Sequence, residues 1–225
     1  MTEADWLACD IPEALLDFVR SRGSWRKFRL FIVGCCRRFW PAITEEWQRQ
    51  AVEIGERFAD RQATDVEREA AFQAASRSAP LWLPAGQPLD RVALACRLCV
   101  GAKSGDNAKS VSLLAAGAAA TVVCPDEPDR WKEHLRQELA EQAHLVRCIF
   151  GSPFRPVSWN RRHLTGTVLS LARGAYDERA FERLPILADA LEEAGCIDPS
   201  VLGHFRSPAP HVRGCWALDL CLGLR

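Results

Sequence analysis

The chain has 225 residues, 48% hydrophobic and 26% charged, a make-up that excludes a natively disordered polymer and supports a folded core. Its 29 basic and 29 acidic residues cancel, which excludes a uniformly basic binder of polyanions. No apolar run approaches the about 20 residues that a membrane span needs; the longest, Val111 to Cys124, is rich in Ala and Gly and reads as a buried helix.

Helical periodicity then runs through the chain. Ile11 to Arg22 carries Pro12 in its first turn and Gly23 as a stop. Ser24 caps a second helix that reaches Trp40 and is ended by Pro41. A third opens at Thr44 and runs to about Asp60. Thr64 with Glu67 forms a capping box for a fourth, to about Ser78. The stretch 79–90, with three prolines and a glycine, is the first real loop. Helices at roughly 89–102, 106–123 and 128–150 follow, the last capped by Asp126. After a second loop, 151–165, come helices near 166–175, 177–194, 199–205 and 209–222. Alternating Val, Ile and Thr runs are nearly absent, so little or no strand is expected beyond a short one near Val157. The expectation is an all-α, single-domain helical bundle of about nine to eleven helices spanning 1–225, with the loop 79–90 as the point of any sub-division.

The neutral total hides a polarised pattern. No acid lies between Asp17 and Glu45, where Arg20, Arg22, Arg26, Lys27, Arg29, Arg37 and Arg38 fall. None lies between Glu141 and Asp177, against Arg147, Arg155, Arg161, Arg162 and Arg173. Basic windows at 20–38 and 147–173 with interleaved aromatics suit nucleic acid. Against that, a helical projection gathers Trp25, Phe28, Phe31, Ile32, Cys35, Cys36 and Phe39 on one apolar face, leaving a solvated basic face paired with the acidic helix that follows.

Ten cysteines follow an N-terminus that is acidic and lacks signal-peptide features, so reduced, packed thiols in a cytoplasmic protein are expected. Cys96 and Cys99 form a C-x-x-C inside an apolar helical run, where core packing is the simpler role. The C-terminal set Cys196, His204, His211 and Cys215 offers the residue types that tetrahedral zinc takes, with His211 and Cys215 one turn apart on the last predicted helix. Each also has a structural role open to it, Cys196 beside the Gly195 helix stop and Cys215 on the buried face. Asp219 falls on the apolar face of that helix and should be buried. His211, Cys215 and Asp219 form an i, i+4, i+8 stripe, too extended for a nucleophilic triad. No catalytic residue is assigned.

Four stretches, EADWLAC, RKFRLFIVGCCRRFW, FGSPFRPV and LPILADALEEAGC with HVRGCW, together resemble a helical domain family of unassigned activity found in many copies in planctomycete genomes. The resemblance implies a bacterial, intracellular, regulatory or interaction domain. The expected function is therefore a non-enzymatic protein-binding or regulatory module, whose contact surface comprises Arg26, Lys27, Arg37, Arg38, Phe154, Arg155, Arg161 and Arg162. A zinc-stabilised module and a nucleic-acid-binding protein remain as alternatives.

Overall fold

A computed structural model describes residues 1–78, 90–102, 104–124, 127–155, 157 and 159–224, with all their side chains except those at 104 and 128. The protein is 73% helical, and no strand occurs among the described residues. The chain falls into two compact units, Met1–Val146 and Arg147–Arg225, which divide inside a helix. The loop 79–90 lies outside the described residues apart from Asp90, as do the Asp126 cap and Pro156 of the FGSPFRPV loop. No helix among the described residues is long and apolar enough to cross a membrane.

The first unit contains α1 (Glu3–Ala8), α2 (Pro12–Val19), α3 (Trp25–Arg38), α4 (Glu46–Ala59), α5 (Asp65–Ser78), α6 (Arg91–Cys99), α7 (Ser104–Val123) and most of α8 (Pro128–Phe150). Caps explain most starts. Thr2 and Asp5 form a box that opens α1, a helix too short for the periodicity to reveal. Ser24 accepts from the Lys27 amide at α3, Thr64 and Glu67 exchange bonds at α5, and Asp90 accepts from Ala93 at α6. At α4 the box belongs to Glu45 and Gln48, one residue beyond Thr44.

The centre of this unit is α3, which packs against α4, α6 and α7. It is enclosed on every side, not amphipathic as expected: Arg26, Arg29 and Leu30 are buried together with Phe28, Phe31, Ile32, Cys35 and Cys36. Its first aromatic residue goes the other way. Trp25 is 46% exposed and packs one side of its ring on Phe58.

A helical cation can be buried in this way only where acceptors await it. The Arg29 guanidinium, 1% exposed, donates to the carbonyls of Cys99 and Gly101 at the C-terminal end of α6. Arg68 donates to the adjacent Val100 carbonyl at 2.8 Å. Two cations thus meet the orphan carbonyls and negative dipole end of one helix. Burial pushes the Arg29 pKa down to about 10, so the charge is held at a cost. The approach of α4 to the same helix end needs Gly55, where a Cβ would stand 2.7 Å from the Cys99 carbonyl oxygen.

The second unit comprises the end of α8, a short 3-10 turn Arg161–His163, α9 (Gly166–Asp177), α10 (Leu184–Glu193), α11 (Pro199–Phe205) and α12 (Trp216–Leu222). Thr165 caps α9 and Asp198 caps α11. Val168, Leu187, Leu191, Val201, Phe205 and Leu218 are buried in its core. Two expected helices are shorter than their sequence suggests. The 177–194 segment becomes helical in earnest only at Leu184, because Pro185 lacks the amide that an interior position needs. The 209–222 segment starts at Trp216, since Pro208 and Pro210 precede it and Gly214 adopts φ +86°.

Candidate metal centre

The late start of α12 frees residues 206–215 from helical geometry, and this lets distant side chains meet. Cys148 lies on the last turn of α8, His204 near the end of α11, and His211 and Cys215 on the segment leading into α12. Their donor atoms all lie within 4.8 Å of one another. His204 Nε2 is 3.1 Å from Cys215 Sγ, and His211 Nδ1 is 3.6 Å from Cys148 Sγ. The two imidazoles stand edge to face, with centroids 4.8 Å apart, and the His204 ring leans on Trp216 at 5.2 Å.

One glycine makes room for this packing. Gly151, directly after α8, has φ +69°, and a Cβ there would stand 3.0 Å from the Trp216 indole. A side chain at this position would push Trp216 off its seat beside His204.

The cluster is shielded from water: Cys215 is 0% exposed and Cys148 3%, while both histidines are half-buried. Burial alone would raise the Cys215 pKa. Hydrogen bonds from Cys148, His204 and His211 overcome it and hold this thiol well below its usual range. The Cys148 thiol, hydrogen-bonded to Cys215 and buried, is pushed well above its own. His211 presents Nδ1 to Cys148 at 3.6 Å and has Nε2 3.4 Å from the Ser207 carbonyl. Two sulfurs and two imidazole nitrogens drawn from three separate segments are a set able to hold a metal ion.

Three of the four expected ligands thus converge, and the fourth is replaced. Cys196 is buried in the core of the unit; its amide closes the end of α10 on the Leu191 carbonyl at 2.9 Å, beside Gly195 at φ +83°. Cys148 takes its place, some 55 residues away from the other ligands along the chain, beyond the reach of any short spacing motif. The helical stripe His211, Cys215, Asp219 does not exist, because His211 is not on α12. Asp219 itself is on that helix and buried, 3% exposed.

The basic window of the first unit is largely committed to internal partners. Arg26 pairs with Asp60 at 2.9 Å, both side chains buried. Arg37 bonds Glu56 at 2.9 Å and stacks over Trp40. Arg38 makes a two-pronged bond to Glu138 at 2.7 and 2.9 Å. At these three positions of the expected contact surface the cations meet Asp60 at the end of α4, Glu56 on α4 and Glu138 on α8. Lys27 is half-buried, and its amide donates to Ser24. In the second unit Phe154 is half-buried, whereas Arg155, Arg161 and Arg162 are exposed.

The C-x-x-C has the packing role expected of it. Cys96 and Cys99 are fully buried on α6, and Cys99 Sγ lies 3.5 Å from Cys36 Sγ on α3. Hydrogen bonding with Cys96 and Cys99, in which the neutral Cys36 thiol is favoured, together with burial, pushes its pKa up. Nine of the ten cysteines are buried and the tenth, Cys9, is half-buried; none is in a disulfide. No protein-family model matches the chain, and no curated protein or solved structure does either.

Proposed function

We propose that residues 147–225 form a zinc-stabilised helical module, with Cys148, His204, His211 and Cys215 holding one Zn2+. The observation that carries this reading is the convergence of four Cys and His donors, from three segments, within 4.8 Å. Tetrahedral zinc with bonds of about 2.0–2.1 Å to nitrogen and 2.3 Å to sulfur has donor-to-donor edges of about 3.3–3.8 Å. The 3.6 Å pair lies inside that range, the 3.1 Å pair falls a little short of it, and the widest pair has only about an ångström to close. Thiolate with imidazole is the soft-to-borderline donor set that suits zinc over magnesium or calcium.

Four protein donors leave no coordination position for a substrate, so the centre is structural. Its work is mechanical. Residues 206–215 contain two prolines and have little regular hydrogen bonding, and the ion would pin them to the ends of α8 and α11. Such a module is suited to presenting a fixed surface to a protein partner or acting as a regulatory part.

Elemental analysis of protein purified without added metal tests this directly. About one zinc per chain is expected, with a lower melting temperature after a strong chelator and recovery on adding zinc back. Sub-stoichiometric zinc together with a melting curve indifferent to chelator would refute it.

A further inference from the structure

Most buried or half-buried arginines of this protein have acidic or carbonyl partners, which makes two others stand out. Arg161, in the 3-10 turn, and Arg173, on α9, are exposed, and neither has an acidic partner among the described residues. Both line the same cavity of the second unit, about 630 Å3 in volume. By contrast, a cavity of about 400 Å3 in the first unit is bordered by Arg38 together with Glu138 and Glu141, so its cation is already answered.

The rest of the larger cavity is of a different character. Leu164, Leu169 and Leu222 are half-buried in its lining. Trp159 contributes to the wall, and its buried indole N–H meets no acceptor among the described residues. Asp219 is a buried carboxylate in the same lining. The volume lies within the range of about 300–1,000 Å3 typical of small-molecule sites, which pair an apolar lining with a few fixed polar groups.

We propose that this cavity binds a small amphiphilic anion, a single carboxylate carried on a hydrocarbon body. Arg161 and Arg173 hold the carboxylate by charge-assisted, two-pronged hydrogen bonds. The leucines take the tail out of water. Asp219 rejects ligands with a second anionic group at the buried end. The site is separate from the four Cys and His ligands and does not rest on their holding a metal.

Titration calorimetry on the full-length protein as purified tests the proposal, with decanoate as probe below the concentration at which it forms micelles. Saturable one-to-one binding is expected. Arg161→Ala/Arg173→Ala should weaken it at least about tenfold, as loss of charge-assisted bonds does. Arg136→Ala, an exposed arginine of α8 outside the lining, should leave it unchanged, and circular dichroism checks that all three proteins keep their helix content. Acetate, which lacks the tail, and decylamine, which reverses the charge, should each bind far more weakly. No saturable decanoate binding would overturn the proposal, as would equal binding of decylamine or an unaltered double variant. Binding of a short oligothymidylate that depends on Arg161 and Arg173, with none of decanoate, would overturn it in favour of a nucleic-acid surface.

Discussion

Replacing Cys148 by Ala gives the sharpest test of the metal centre, because this ligand comes from outside the C-terminal set and is joined to it only by the fold. Four-ligand zinc sites in small domains contribute about 10–16 kcal/mol of apparent binding free energy, so each ligand carries roughly a quarter, about 2.5–4 kcal/mol. Cys148→Ala should therefore weaken zinc binding about 10²–10³-fold. At free zinc 100 times the wild-type dissociation constant, the bound ion stabilises the native state by about 2.7 kcal/mol, and the variant loses nearly all of that. For a cooperative unit of 60–100 residues, about 1 kcal/mol moves the melting temperature by about 4–8 °C. A drop of about 10–20 °C in the transition of the second unit follows. The assay is competition against a chromophoric zinc chelator, paired with calorimetry at fixed free zinc. Cys196→Ala is the control: it leaves a small core void and costs about 1–2 kcal/mol, yet should keep zinc affinity at the wild-type value. Unchanged affinity in Cys148→Ala, or loss of zinc in Cys196→Ala, would refute the assignment.

Other predictions concern the first unit. Gly55→Ala places a methyl 2.7 Å from the Cys99 carbonyl oxygen and must pry α4 from α6, costing about 1–3 kcal/mol in urea unfolding; a neutral result would mean that the helices part freely. A double-mutant cycle of Arg38→Ala and Glu138→Ala should show a coupling of about 1–2 kcal/mol, since the bond is two-pronged and only partly exposed; coupling near zero would return Arg38 to the class of free surface cations. Ser112→Ala removes the 2.7 Å buried hydrogen bond to the Gln142 side-chain oxygen and should cost about 1–3 kcal/mol, whereas Ser110→Ala, half a turn or so away on the exposed side of α7, should be silent by the same measurement.

The helical class and most helix starts were legible because caps are local: Ser24, Thr64 and the Pro12 first turn are read within four residues of the helix they open. The centrality of α3 was not. Its pattern shows an apolar face and a basic face, and only the arrival of Asp60, Glu56, Glu138 and the carbonyls of α6 turns the basic face inward. His204, His211 and Cys215 could be found from residue type and closeness along the chain. Their helical register was misleading, because two prolines and Gly214 cancel the helix that apolar spacing alone supports. Cys148 carried no such mark. A ligand some 55 residues from its partners is specified by how α8 meets α11, which is a matter of packing and not of spacing.

The enclosure of α3 bears on how this protein comes into being. Its principal neighbour, α7, ends roughly 85 residues after α3 does, so at about 5–20 residues per second the ribosome delivers it some 4–17 seconds later. Through that interval Phe31, Ile32, Val33 and the paired thiols at 35 and 36 are outside the tunnel with only α4 and, towards its end, α6 of the helices that pack on α3 to shelter them. The nascent chain therefore passes through a stage that invites chaperone capture, and slower translation between residues 60 and 120 should lengthen that stage and lower the yield of soluble product.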